Sequence, residues 1–295
     1  MNPLRIGNLV VAVPIVQGGM GVGISLSGMA AAVANEGGVG VISSAGLGLL
    51  YRKSGADYIE ASIEGLKEEL RKARAKTLGV IGVNVMVAMS NFADMVKTAI
   101  AEKADIIFSG AGLPLDMPSY LKSDSTTKLV PIVSSGRAAK IICEKWKKEY
   151  NYLPDAIVVE GPKAGGHLGF KSEQINDETY SLERLIPEVV AAVKQFEDTY
   201  NVRIPVIAAG GVYTGQDIKD IMNLGASGVQ MGTRFVTTTE CDASDAFKQT
   251  YIDATEKDIE IIKSPVGMPG RAIGNSFIEK VRLGYKQPIR CPFKC

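Results

Sequence analysis

Short, almost uniformly apolar runs alternate with amphipathic stretches from residue 13 to about residue 235. Apolar runs without a polar face are typical of parallel strands that are buried on both sides of a sheet. The stretches between them space their apolar residues three and four positions apart, as a helix with one buried face does. The pattern predicts strands over 13–17, 39–43, 80–84, 105–108, 129–133, 156–160, 206–209 and 228–231.

Helices are predicted between these strands, so the order of elements is a strand–helix unit repeated about eight times. The predicted helices span 25–36, 58–75, 91–103, 137–150, 186–200 and 216–224. This order favours a TIM (β/α)8 barrel. An open doubly wound sheet is the competitor. It is disfavoured because no G-x-G-x-x-G fingerprint follows the first strand, and because glycine-rich loops follow several different strands.

The pattern changes after residue 235, where a helix over 242–255 and a strand over 259–263 are predicted. This region is too short to hold a core of its own. We therefore expect residues 1–236 to form the barrel and residues 237–295 to form a small cap over its mouth, within the same domain.

Composition narrows the class of ligand. The chain has 295 residues, of which 46% are hydrophobic, and a formal net charge of +1. Disorder is therefore not expected, and no global field would collect nucleic acid or an anionic membrane. A small-molecule ligand is the expected partner. The first residues lack the character of a signal peptide, and no apolar run is suited to span a bilayer, so a cytoplasmic location is predicted.

The cysteines predict neither a disulfide framework nor a metal site. Cys143 lies in a helical pattern, Cys241 follows the last predicted barrel strand, and Cys291 and Cys295 close the chain. This spacing is unlike that of secreted disulfide-rich proteins. Two closing cysteines without a second pair make no complete zinc site.

One imidazole stands where chemistry is expected. His167 is the only histidine, and it lies in a glycine-rich loop after the predicted strand 156–160. Because histidine titrates near neutral pH, it can transfer a proton or orient a substrate at the end of a strand. A histidine that only hydrogen-bonds loop carbonyls is the structural alternative.

Glycines cluster after three predicted strands. Gly18 and Gly19 follow the first strand, where they either form a tight turn or let backbone approach a flat or anionic ligand. Gly210 and Gly211 follow the seventh strand, and Gly232 follows the eighth. In TIM barrels these last two loops frequently form a phosphate site, which is what the sequence predicts here.

Three further polar residues are ambiguous. Asn84 ends the third predicted strand, where an amide can bind a ligand or cap the following helix. Gln174 lies in the loop after His167 and has the same two interpretations. Lys163 lies in the same loop, where it can neutralise an anionic substrate or remain solvated.

Taken in order, these motifs give the chain a family resemblance. It resembles the flavin-dependent nitronate monooxygenases, formerly called 2-nitropropane dioxygenases, and FMN-containing enoyl-acyl-carrier-protein reductases look similar over the same segments. The motifs are PIVQGGM at 14–20, EGGVGVI at 36–42, EGPKAGGH at 160–167, PVIAAGG at 205–211 and GVQMGTRF at 228–235.

The resemblance implies FMN at the barrel mouth and a role for each matching residue. His167 would face the substrate over the flavin ring, and Asn84 would hydrogen-bond the cofactor. Gln174 is carried over as a further cofactor contact. Gly18, Gly19 and Met20 would lie against the ring, and the phosphate would be held by Gly210, Gly211, Gln230, Met231, Gly232 and Thr233.

The implied reaction is oxidation of an alkyl nitronate with O2 to a carbonyl compound and nitrite. His167 would either deprotonate a neutral nitroalkane or hydrogen-bond a nitronate that is already ionised. The main alternative is NAD(P)H-dependent reduction of an enoyl thioester on acyl carrier protein. A flavin-binding barrel without enzymatic activity is the second alternative. A homodimer is left open.

Overall fold

The computed structural model describes residues 2–53, 57–264 and 267–285. A short hairpin comes first, and strands and helices then alternate along the chain. The strands are β1 Leu4–Ile6, β2 Leu9–Val11, β3 Ile15–Gln17, β4 Val39–Ser43, β5 Val80–Met86, β6 Ile106–Gly110, β7 Lys128–Val133, β8 Ile157–Glu160, β9 Gly166–His167, β10 Val206–Ala209, β11 Gly228–Met231, β12 Ile259–Lys263 and β13 Pro269–Ile273.

The helices pack mainly around the outside of the strands. They are α1 Ser27–Asn35, α2 Leu47–Tyr51, α3 Tyr58–Arg74, α4 Phe92–Ala101, α5 Gly136–Tyr150, α6 Leu182–Tyr200, α7 Gly215–Asn223, α8 Thr233–Val236, α9 Asp245–Asp253 and α10 Ser276–Arg282. Among the residues that the structure describes, no helix is long and apolar enough to cross a membrane.

Eight parallel strands close into a barrel in the order β10-β11-β3-β4-β5-β6-β7-β8. The predicted TIM barrel is confirmed. The first barrel strand is shorter than predicted, and Val16 and Val39 are the one register pair between β3 and β4. The side chain of Gln17 extends this weak ladder. Its Oε1 accepts a hydrogen bond from the Val41 backbone N–H at 2.9 Å, and its Nε2 donates to the Gly18 carbonyl.

The core has two parts, one inside the barrel and one between the strands and the outer helices. The hairpin β1–β2, which the apolar pattern did not predict, packs into the amino-terminal end of the barrel. Leucine and valine side chains from the hairpin thus close that end, while the carboxyl end stays open for a site. The interior cluster contains Leu4, Ile6, Val11, Val16, Val39, Val41, Ile106, Phe108, Val130, Ala156, Val158, Ile207 and Ala209.

The described residues after 236, called the cap below, are attached to a barrel loop by strand pairing. Strands β12 and β13 are antiparallel, and β13 also pairs with β9, which belongs to the loop after β8. The predicted strand 259–263 is found, and the predicted helix 242–255 is the shorter α9.

Cys291 and Cys295 lie outside the described residues. Cys143 and Cys241 are buried free thiols, and burial raises the pKa of Cys143 to about 12.

Candidate active site

Three polar side chains face inward at the carboxyl end of the barrel. Successive residues of a strand face opposite sides, so Glu160 shares the inward face of Val158, a member of the interior cluster. Asn84 faces inward too, because Gly82, two residues before it, adjoins the interior side chain of Phe108. Gln230 does so because Gly228, two residues before it, adjoins the interior side chain of Leu4. None of these three side chains hydrogen-bonds to another residue within the described ranges. The mouth therefore presents polar groups that are free for a ligand.

A cavity of about 920 Å³ opens beside these residues. Binding sites for small molecules typically have this size and are lined mainly by apolar side chains with a few placed polar groups. The lining comes from the ends of β6, β7 and β8, from the loop after β8, and from the edges of β12 and β13. It includes His167, Glu160, Gln174, Lys171, Ser134, Phe170, Ile132, Leu113, Lys263 and Met268.

His167 is held in this cavity by a strand that the sequence pattern did not reveal. It belongs to β9 and pairs with Gly270 of the cap. The side chain is half-buried, and burial lowers its pKa below the ordinary value of 6.5. No hydrogen bond links its imidazole to another residue of the described chain, so the carbonyl partners of the structural alternative are missing there. At neutral pH the imidazole is uncharged and able to accept a proton.

Glu160 is the group at this mouth that sequence reasoning missed. Burial raises the pKa of its carboxyl to about 7, whereas an ordinary glutamate titrates near 4.5. It belongs to the EGPKAGGH motif and ends an otherwise apolar strand. That position could have indicated Glu160 from the sequence, since inward-facing polar residues at the carboxyl ends of barrel strands build active sites.

Gln174 and Lys163 occupy different sides of the site. Gln174 lines the cavity with His167, and its Oε1 accepts a hydrogen bond from the Lys171 backbone N–H at 2.9 Å. Lys163 lies over Gly211 instead, where a Cβ added to the glycine would stand 3.1 Å from Cβ of the lysine. The structure thus brings a lysine to the loop that was predicted to bind phosphate.

The glycine pair after β10 is required by the fold. Gly210 and Gly211 have φ angles of +96° and +84°, a region that side-chain-bearing residues rarely adopt. A Cβ on Gly210 would also stand 2.9 Å from the carbonyl oxygen of Gly161. The loops after β8 and β10 therefore touch through bare backbone. This arrangement is compatible with a phosphate cradle.

The loops after β3, β5 and β11 meet on the other arc of the mouth. The Gly18 N–H donates to the Met231 carbonyl at 2.8 Å, and a Cβ on Gly19 would overlap the side chain of Asn84. Met20 lies against Gly232. Thr233 begins α8 next to them. These residues do not line the cavity that holds His167, so the predicted site residues form two adjoining groups around one barrel mouth.

Arg271 of the cap fixes the loop that leads to His167. Its guanidinium donates to the backbone carbonyls of Pro162 at 2.5 Å and Ala164 at 3.2 Å. Together with the pairing of β13 and β9, these bonds hold both sides of the histidine loop against the cap. The sequence pattern indicated no role for Arg271, because the Pro162 and Ala164 carbonyls are more than a hundred residues away from it in the chain.

Comparison with known proteins places this geometry in a family. The family model described as nitronate monooxygenase matches residues 2–293. A "Probable nitronate monooxygenase" of Staphylococcus aureus (strain N315) is 28% identical over 290 residues, covering 91% of this chain and 77% of that protein. A (3aS,4S,5R,7aS)-5-hydroxy-7a-methyl-1-oxo-octahydro-1H-indene-4-carboxyl-CoA dehydrogenase of Mycobacterium tuberculosis is 27% identical over 92% of this chain. The chain spans 66% of the length of that dehydrogenase.

Two solved structures share the fold. FabK from Thermotoga maritima has a TM-score of 0.72 and 28% identity, covering 94% of this chain and 76% of that chain. Nitroalkane oxidase from Streptomyces ansochromogenes has a TM-score of 0.72 and 22% identity, covering 91% of this chain and 79% of that chain, a likeness of fold alone. Because the family match spans nearly the whole chain, the chain belongs to the nitronate monooxygenase family of flavin-dependent oxidoreductases.

Proposed function

We propose that the protein is an FMN-dependent enzyme that oxidises alkyl nitronates with O2 to a carbonyl compound and nitrite. The observation that carries this proposal is the position of His167. It offers a neutral, half-buried imidazole to a cavity that adjoins the glycine loops at the barrel mouth, in a chain that the family model covers almost completely. The substrate assignment follows the family and the Staphylococcus aureus relative, whose name states that activity.

The mouth residues fit a flavin mononucleotide. Gly210 and Gly211 present bare backbone next to Lys163, which suits a terminal phosphate. Gly19 is packed against the side chain of Asn84, which any Cβ at that position would overlap, and we assign the Asn84 amide a hydrogen bond to the edge of the flavin ring. No dinucleotide fingerprint is present, so FMN is preferred to FAD. When bound, FMN supplies the redox chemistry, taking electrons from the substrate and passing them to O2.

The remaining cofactor and substrate contacts are assigned to residues of the His167 cavity and of the loops after β3, β8 and β11. We assign Met20 to the ring surface and Gln230, Met231, Gly232 and Thr233 to the phosphate side. Gln174 reaches the cavity with His167 and is assigned to the edge of the flavin that faces the substrate. Lys171 lines the same cavity and supplies positive charge for an anionic nitronate. Lys163 is assigned to the phosphate because it lies against Gly211.

His167 performs the protein's own chemistry in this scheme. For a neutral nitroalkane, the imidazole removes the α-proton and becomes positively charged next to the nitronate that forms. For a substrate that is already a nitronate, it orients the anion by a hydrogen bond. Apolar walls such as Ile132 and Phe170 keep water from the reacting carbon.

Enoyl-thioester reduction is the second candidate. The likeness to FabK, an enoyl-acyl-carrier-protein reductase that is 28% identical to this chain, favours it. This function would require NAD(P)H as the electron donor.

The cofactor and the product test the proposal together. Protein denatured by heat should release FMN, identified by chromatography, and the loaded protein should form nitrite from ethylnitronate in air without nicotinamide. Release of FAD alone, or no flavin uptake on reconstitution, would contradict the cofactor assignment. Flavin-loaded protein that forms no nitrite would contradict the reaction.

A further inference from the structure

Glu160 stands where the two groups of site residues meet. It ends β8, faces the barrel interior, and lines the cavity with His167. Its register partner on the neighbouring strand is Ala209, directly before Gly210 and Gly211. A ligand that reaches from the glycine pair into the cavity must therefore pass this carboxyl group.

No charge partner compensates Glu160 within the described residues. Arg271, a cation of β13 that reaches the loop after β8, donates to the Pro162 and Ala164 carbonyls. Lys163 lies over Gly211. Lys171 and Lys263 line the cavity, but neither forms a hydrogen bond or an ion pair with the carboxyl.

The elements packed around β8 add no charge that faces Glu160. Ala209 of β10 is apolar, and Lys128 of β7 lies near Asp155 at the other end of the barrel, at 4.0 Å. On α6, the Glu188 carboxylate accepts the Gly136 N–H at 2.8 Å, and Glu183 and Arg184 are exposed. His167 is the remaining titratable group at the cavity, and its burial favours the uncharged form.

A bound anionic ligand would disfavour the ionised form of Glu160 further. Both the flavin phosphate and a nitronate carry negative charge, and like charges in a poorly solvated site raise one another's proton affinity. Burial already raises the pKa of Glu160 to about 7, so a small further push neutralises the group at physiological pH. A protonated carboxyl can then donate a hydrogen bond, which a carboxylate cannot do.

We propose that Glu160 takes up a proton from solvent when the barrel mouth binds its anionic flavin, and that it acts as a positioning residue that donates a hydrogen bond to the bound cofactor. The proposal rests on the proposed function, because it requires a phosphate-bearing cofactor at this mouth. In this step the Glu160 carboxylate gains one proton from solvent, and no group changes its oxidation state. Flavin affinity should therefore fall as the pH rises above neutrality.

The test measures flavin binding instead of turnover. Apoprotein is titrated with FMN from pH 6 to pH 9 by fluorescence quenching, for the wild type, for Glu160→Gln and for the control Glu173→Gln. Glu173 is an exposed carboxylate next to Gln174 and lies outside the cavity lining. The phosphate of FMN titrates near pH 6 in all three titrations, so differences between variants isolate the protein group.

The wild-type Kd should rise by up to about tenfold per pH unit above pH 7, as linkage to one proton requires. Glu160→Gln should bind FMN with a nearly constant Kd over that range and more tightly than the wild type at pH 8.5. Glu173→Gln should follow the wild type. Calorimetry at pH 8 in two buffers of different ionisation enthalpy should count a net uptake of up to one proton by the wild type and none by Glu160→Gln.

The two proposals fail in different ways. Flavin binding by the wild type without proton uptake, or an equal pH dependence in Glu160→Gln, would contradict the role of Glu160 alone. A wild-type protein that binds no FMN at any pH would contradict the proposed function and this inference with it. The calorimetric count on the wild type does not depend on how the variant folds.

Discussion

At the scale of single residues, the site is set by two partly buried titratable groups. Burial keeps His167 uncharged at neutral pH, and it raises the pKa of Glu160 to about 7, so the carboxyl changes its charge near neutral pH. Each assignment has its own consequence for mutation and pH.

We expect His167→Asn to retain flavin and to lose about 10²-fold in kcat/KM toward neutral nitroethane, the usual size of general-base catalysis. The loss toward preformed ethylnitronate should be smaller, because no proton remains to be removed. Since burial lowers the pKa of His167, wild-type kcat/KM toward nitroethane should stay level above pH 6.5 and fall only at more acidic pH. Nitrite formation across pH 5 to 8 measures both effects. Unchanged turnover of both substrates would exclude His167 from the mechanism.

Glu160 should reduce the stability of the apoprotein at neutral and alkaline pH. Its folded-state pKa is raised from 4.5 to about 7, so the folded protein holds the proton more tightly than the unfolded chain does. Stability is therefore lost as the pH rises from about 4.5 to about 7, and the full cost, roughly 3 kcal/mol at most, applies above that.

We expect Glu160→Gln to raise the thermal midpoint of the apoprotein at pH 8 and to leave it nearly unchanged at pH 4. Glu173→Gln, which removes an exposed carboxylate, should change neither midpoint. Scanning calorimetry of the three proteins at both pH values measures this. An equal effect of Glu160→Gln at pH 4 and pH 8 would contradict the assigned titration.

Residue identity predicted part of this site. His167 and Gln174 were both predicted, and the cavity contains both. Glu160 was missed because a glutamate at a strand end is ordinarily solvated. Its significance comes from the inward face of β8, which only the strand register fixes. The roles assigned to His167, Gln174, Asn84 and the glycines stay predictions, although the structure brings their loops together at one barrel mouth.

At the scale of elements, the cap is fastened to the barrel through a helix end. Helix α1 has no side-chain cap of its own. The carboxylate of Asp242, between α8 and α9, accepts the backbone N–H groups of Leu26 at 2.8 Å, Gly28 at 3.0 Å and Met29 at 3.1 Å. A carboxylate is favoured there by hydrogen bonding and by the helix dipole.

We expect Asp242→Asn to lower the free energy of unfolding by about 1–2 kcal/mol, since one charged acceptor is lost at a buried helix end. The control Asp245→Asn changes a fully exposed aspartate in the first turn of α9, so it should lower the denaturation midpoint much less than Asp242→Asn does. Urea denaturation followed by circular dichroism measures both. Equal midpoints for the two variants would show that Asp242 does not fasten the cap.

Periodicity predicted the eight barrel strands because each is a continuous apolar run buried on both faces. It missed the hairpin β1–β2 and the two-residue strand β9. Strands of two or three residues are too short to show a period, and β9 is made of Gly166 and His167. The contact of Asp242 with α1 spans more than two hundred residues, so no local pattern could indicate it.

At the scale of the whole molecule, barrel and cap build one site between them. Strands β6 to β8 provide the inner wall of the cavity, the loop after β8 provides His167, and β12 and β13 provide the outer wall. Relatives with similar sequences carry names for different reactions, including a nitronate monooxygenase and a CoA dehydrogenase. The source of the electrons therefore distinguishes the proposed function from its main competitor.

The most direct measurement is anaerobic stopped-flow reduction of the flavin-loaded protein with ethylnitronate, NADH and NADPH in parallel. The proposed function predicts rapid loss of the oxidised flavin absorbance with ethylnitronate, slow or no loss with either nicotinamide, and nitrite formation once O2 is admitted. Faster reduction by NADH or NADPH, coupled to consumption of an enoyl thioester, would contradict the proposed function and assign the cavity to thioester reduction.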